Sequence, residues 1–244
     1  MRTSNPALNA KTFERFGPGA VTGEAMTIEG TVNRTAFLLL LLVATATWTW
    51  LQTFAGAPTG GYLLGGLFGG FAVALVTIFK PTWAPVTAPI YALLEGLALG
   101  AISAYFQARY PGIVIQAVAL TFGVLFALLV AYRSGLIPVT ENFRLGVVAA
   151  TGGIAVFYLV AIGLSFFNIR IPFLHEGSLI GIGFSLFVVV VASLNLVLDF
   201  DFIEKGAEHG APKVMEWYAA FGLIVTLVWL YLEILRLLSK LRSR

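Results

Sequence analysis

Seven apolar runs, each close to 20 residues long, limit what this chain can fold into. They cover roughly residues 35–54, 61–79, 86–106, 112–132, 145–167, 177–200 and 214–238. A bilayer's hydrocarbon core is about 30 Å thick, and a helix crosses it in about 20 residues. No water is present there, so backbone N–H and C=O groups must be satisfied within each segment, as a helix does. Transmembrane strands would read as alternating segments of about ten residues, and the sequence lacks them. Charged residues make up only 11% of the 244, against about 25% in soluble domains. The expected fold is an all-α integral membrane bundle of seven transmembrane helices.

The connections are short and rich in turn residues: FAGAPTGG (54–61), KPTWAPVTAP (80–89), ARYPG (108–112), RSGLIPVTENFR (133–144), NIRIPFLHEG (168–177) and DFDFIEKGAEHGAPK (199–213). Proline and glycine at those places end helices. Three regions are expected: a polar, flexible cytoplasmic leader over 1–34, the membrane domain over 35–238, and a basic tail over 239–244. A signal peptide would carry its apolar core nearer the start. Glycines at i and i+4 (Gly65 with Gly69, Gly66 with Gly70, Gly96 with Gly100, Gly177 with Gly181) mark places where helices approach closely in lipid.

Orientation follows from lysine and arginine. With the N-terminus cytoplasmic, that side holds nine: Arg2, Lys11, Arg15, Arg34, Lys80, Arg133, Arg144, Lys205 and Lys213. The opposite loops hold Arg109 and Arg170. The last nine residues add Arg236, Lys240, Arg242 and Arg244, which count the other way. A basic tail of this kind is not a nucleic-acid surface. The expected partner is the lipid bilayer.

Acids inside a membrane are costly, about 2.5–3.5 kcal/mol or more at mid-depth, and usually functional. Glu95 lies about nine residues into the third run, roughly 13 Å deep at 1.5 Å per residue. Asp199 ends the sixth run, and Asn195 lies one turn before it on the same face. Asp201, Glu204 and Glu208 follow and read as a solvated acidic vestibule for cations. Thr226, Trp229, Glu233 and Arg236 share one face of the seventh run, where Glu233 and Arg236 are positioned to pair. Glu216 stands at the start of that run, within reach of Asp199. With no cysteine and two histidines, no tightly bound metal or cofactor is expected. No nucleophile–base set or phosphate loop is recognisable, so enzyme activity is not expected.

EGLALG (95–100), LNLVLDFDFIEKG (194–206) and WLYLEILRLL (229–238), in this order and spacing, resemble the Bax inhibitor-1 family, also called the transmembrane Bax inhibitor motif family. SNPALN, KTFERF and MTIEGTVNRTAFLLLLL near the N-terminus look like its bacterial YccA-like branch, a resemblance that implies a bacterial inner membrane. The resemblance implies a seven-helix fold with the last helix central, and a pH-sensitive leak of calcium as the transported ion. It also implies a gate of two aspartates sharing one proton, since two close carboxylates do not both ionise cheaply. Asp199 matches the first aspartate and Arg236 a family arginine. Thr226 stands where the second aspartate would be, so Glu95 or Glu216 would have to serve as Asp199's partner, and Glu95 is preferred because it is intramembrane. The rival reading is a regulatory membrane protein that binds a membrane protease or another partner through the leader. A proton-coupled solute transporter is a third.

Overall fold

The computed structural model describes residues 24–167 and 178–243. It contains α1 (Ile28–Phe54), α2 (Gly60–Phe79), α3 (Ala84–Arg109), α4 (Ile113–Arg133), α5 (Glu141–Phe166), α6 (Leu179–Glu208) and α7 (Met215–Arg242), with a 3-10 turn Pro81–Trp83 leading into α3. All seven helices are long and apolar enough to cross a membrane. The seven-helix expectation holds. Most of the leader, residues 1–23, lies outside the described residues, as do Gly177 and Arg170.

Local chemistry sets the helix starts. Thr27, Thr140 and Ser178 are N-caps whose hydroxyls accept from Gly30, Phe143 and Gly181 N–H groups, satisfying donors that helix starts leave open. Gly210, at φ +63°, turns the chain between α6 and α7, a left-handed conformation that glycine adopts without steric cost.

Helix α7 occupies the centre. It packs on α6, α1, α4 and α3, and Tyr158 of α5 reaches it through a hydrogen bond to Glu233. The largest buried side chains concentrate along α7, among them Tyr218, Phe221, Ile224, Leu230 and Leu235. Tyr91 of α3 meets Phe221 edge-on, with ring centroids 5.0 Å apart. Lipid tails are as apolar as leucine, so close packing rather than water expulsion holds such helices together. Gly96 and Gly100 supply that closeness between α3 and α1: a Cβ on either would collide with α1 backbone carbonyls. Gly66 does the same between α2 and α3, whereas Gly65 faces open space. Of the two overlapping glycine pairs on α2, the Gly66–Gly70 pair is the one seated tightly on α3.

Three boundaries differ from the sequence expectation. Helix α1 begins at Ile28, so residues 28–34 are helix and not leader. Helix α6 continues to Glu208, so the acidic stretch is a helix and not a connection. Its charge is met by its own lysine: Asp201 pairs with Lys205 one turn on, at 2.6 Å. Helix α7 runs to Arg242, so residues 239–242 are helix and not tail.

Candidate functional site

Asp199 sits in the last third of α6 with 0% exposure. Asn195, one turn earlier, donates to the Thr151 hydroxyl of α5 and to its own helix at Val191 O, both at 2.8 Å. The expected polar strip therefore exists, buried between α5, α6 and α7. In an antiparallel hairpin that turns near Gly210, Asp199 stands at about the level of Ile224–Thr226 on α7. Thr226 is buried, and its hydroxyl donates to Gly222 O at 3.3 Å, within its own helix.

The acids after Asp199 separate into two kinds. Asp201 is not solvated: it is 6% exposed, with one oxygen 2.6 Å from Arg144 of α5 and the other 2.6 Å from Lys205. Arg144 also reaches Glu141 at 3.1 Å. This corrects the placement of Asp201 in an open vestibule. Helix α6 runs two turns past Asp199, and a buried carboxylate there needs paired cations. Glu204 and Glu208 are exposed, as expected; Glu204 accepts a hydrogen bond from Tyr132 of α4.

Glu216 is 1% exposed but engages the chain's first helix. The Thr27 N–H and hydroxyl both donate to it at 2.9 Å, and Arg34 forms an ion pair with it. The Arg34 guanidinium also lies 5.3 Å over the Trp217 ring. The segment before α1 is stitched to the α6–α7 turn as well: Met26 N–H donates to Ala211 O at 2.7 Å and Lys213 N–H to Glu24 O at 3.1 Å. Glu216 stands ten residues before Thr226, about 15 Å along the helix at 1.5 Å per residue.

Glu95 lies half-buried on α3 beside Gly70 of α2, where a Cβ would come 3.0 Å from its carboxyl oxygen. It makes no hydrogen bond or ion pair among the described residues. The structure thus brings neither Glu95 nor Glu216 into a pair with Asp199.

At the other end of α7, Arg236 pairs with Glu233 at 2.7 Å, and Tyr158 bonds both: its hydroxyl donates to Glu233 at 3.1 Å and accepts from Arg236 at 2.6 Å. Lys240 is buried and donates to Gly181 O at 3.0 Å and the Ser185 hydroxyl at 2.9 Å on α6. Sequence reasoning placed Lys240 in a tail. Its spacing carried the signal, since Lys240 continues the 3–4–3 series of Thr226, Trp229, Glu233 and Arg236 by four more residues. Arg144, Arg34, Thr27 and Tyr158 were also missed as partners; a charge beside an apolar run reads equally well as a loop charge.

A family model described as Bax inhibitor 1 like matches residues 5–243. The chain belongs to the Bax inhibitor 1 like family. No curated protein and no solved structure matches it. The match spans all seven helices, so within this Bax inhibitor 1 like chain the buried Asp199, the Asp201–Arg144–Lys205 group and the Glu216–Arg34 pair all belong to the family domain. The chain is a multi-pass membrane protein.

Proposed function

We propose that this protein is a pH-sensitive cation leak of the Bax inhibitor-1 kind, with calcium as the transported ion and Asp199 as the gate carboxylate. The observation that carries the reading is the complete burial of Asp199 near the end of an apolar helix packed on the central one. Burial of this kind disfavours the charged carboxylate relative to the neutral acid. The neutral acid suits the packed α6–α7 arrangement. The carboxylate favours a loosened one that admits a cation, so gain and loss of one proton selects between two packings. With Thr226 in place of a second aspartate, and Glu95 and Glu216 seated elsewhere, the switch runs on one carboxyl. The exposed Glu204 and Glu208 at the same end raise the local cation concentration.

The orientation that fits has the N-terminus in the bacterial cytoplasm. Lys240 is buried against α6 and Arg236 is paired with Glu233 on α7, so neither is a free tail charge that would oppose it. The test is flux into liposomes loaded with a calcium dye, at mildly acidic and mildly alkaline pH. Asp199→Asn should remove the pH dependence and Asp201→Asn should keep it. The reverse pattern would move the gate to Asp201, and folded protein that passes no cation at any pH would end the leak reading.

A regulatory role through a membrane-protein partner is the second reading. It draws on the stitching of residues 24–27 to the α6–α7 turn, a route by which a partner holding the leader would act on the carboxylate end of α6. Removal of residues 1–23 should abolish partner capture and leave cation flux intact.

A further inference from the structure

A second feature lies between α1 and α4 and is independent of the gate. Helix α1 packs chiefly on α3 and α7, and α4 packs on α7, α6 and α3. Between α1 and α4 a cavity of about 350 Å³ remains, floored by α3 and α7. Along α1 it runs from Leu39 to Trp50, about 16 Å at 1.5 Å per residue. Along α4 it begins at Val114, the second residue of that helix, and ends at Phe122. Helix α1 ends and α4 begins on the same side of the bundle. The cavity is therefore a narrow slot that starts at that membrane edge and reaches about half of a 30 Å hydrocarbon core.

No charged side chain lines the slot. Three of its hydroxyls are occupied: Ser103 and Tyr231 bond each other at 2.6 Å, and Thr121 donates to Ala117 O at 2.8 Å; its other polar groups are the hydroxyl of Thr47, exposed on α1, and the indole N–H of Trp50. The rims are apolar and outward-facing, with Leu40 and Val43 on α1 and Ile115 and Phe126 on α4 all exposed. The slot thus opens onto hydrocarbon and not onto water. Its walls are almost wholly apolar and offer no charge to a headgroup or an ion. They match a long, thin, uncharged chain, and an empty slot would forfeit the dispersion contacts of every lining atom.

We propose that this slot is a lipid site that takes one acyl chain of a phospholipid from the leaflet on the Trp50 side. The chain fills the gap between α1 and α4 and packs on Leu227 and Val228 of α7, the residues that follow Thr226 on the central helix.

Trp50 lines the slot, while Trp48 is 44% exposed on the lipid surface, so the two report different lipids. Two single-tryptophan variants, retaining Trp50 or Trp48 with phenylalanine at the other tryptophans, are placed in nanodiscs containing rising fractions of phosphatidylcholine brominated on its acyl chains. Trp50 quenching should saturate at a low fraction, and Trp48 quenching should follow the bulk fraction. Val118→Phe, which fills the slot, should raise the half-saturating fraction for Trp50 about tenfold, equivalent to 1.4 kcal/mol. Trp50 that follows Trp48, stays unquenched throughout, or ignores Val118→Phe would overturn the site. Quenching by a brominated detergent but not by the lipid would reduce the slot to an adventitious additive site. Should the multiple replacements fail to fold, native mass spectrometry of the protein with its own tryptophans decides. One phospholipid retained per chain and lost in Val118→Phe supports the site; none retained, or no loss, refutes it.

Discussion

Replacing Arg144 by methionine removes the guanidinium that lies 2.6 Å from Asp201 and keeps much of the apolar stem. Both partners are almost fully enclosed, with side-chain exposures of 3% and 8%. Breaking a pair of this kind costs about 3–5 kcal/mol, mostly because a buried charge is left behind. Here Lys205 remains 2.6 Å from the other carboxylate oxygen but is itself 27% exposed. The expected loss is therefore at or just below the lower end of that range, about 2–3 kcal/mol. Adding Asp201→Asn removes the stranded charge, so the double variant should recover about 1–2 kcal/mol of that loss. The assay is reversible unfolding in mixed micelles with rising sodium dodecyl sulfate, on wild type, both single variants and the double variant. The sign of the coupling is the test. If the two effects simply add to within about 0.5 kcal/mol, the Arg144–Asp201 pair does not neutralise a buried charge, and Asp201 is hydrated after all.

Three further outcomes follow from the packing. Glu216→Gln keeps the shape but weakens the bonds from Thr27 and the pair with Arg34, and should cost about 1–2 kcal/mol; hydrogen exchange should accelerate at residues 26–31, and unchanged protection there would show that the stitch does not hold the segment. Gly96→Val drives a side chain into the α1 backbone at Leu42 and should cost about 1–3 kcal/mol or more, while Gly65→Val, which meets open space, should fall within about 0.5 kcal/mol of wild type; equal effects in the same unfolding assay would refute the assignment of Gly96 to a tight helix crossing. Lys240→Met strips a donor from Gly181 O and the Ser185 hydroxyl, and should lower Tm more than Arg242→Met, whose partners Pro111 O and Gln116 lie at the exposed end.

The helices were legible because lipid leaves the backbone one solution, and run length alone reports it. The helix ends were less so. Ile28–Arg34 reads as polar leader, yet it is helical because its polar residues have internal partners: Thr27 caps it and Arg34 pairs with Glu216, 182 positions away in sequence. The stretch DFDFIEKGAE reads as a loop because four acids crowd it. It remains helix because Arg144 and Lys205 neutralise the second of them. Depth was readable for Glu95, but direction was not. Hydropathy places a residue along the membrane normal and does not say which neighbour a helix face meets, so Glu95 was expected against Asp199 and lies against Gly70 instead. Asp199 and Asn195 were found because one-turn spacing on a single helix needs no tertiary knowledge. The lipid slot has no sequence signature, being a gap between two helices that pack on common neighbours.

The gate is tested most directly by following Asp199 and the current in one preparation. Difference infrared spectroscopy reads the C=O stretch of a neutral carboxylic acid, and Asp199→Asn identifies which band belongs to this residue. The prediction is that loss of that band with rising pH and the onset of cation flux share one midpoint, and that both vanish in Asp199→Asn. Flux that keeps its pH dependence in Asp199→Asn, or that rises while the Asp199 band is unchanged, would contradict the single-carboxyl gate.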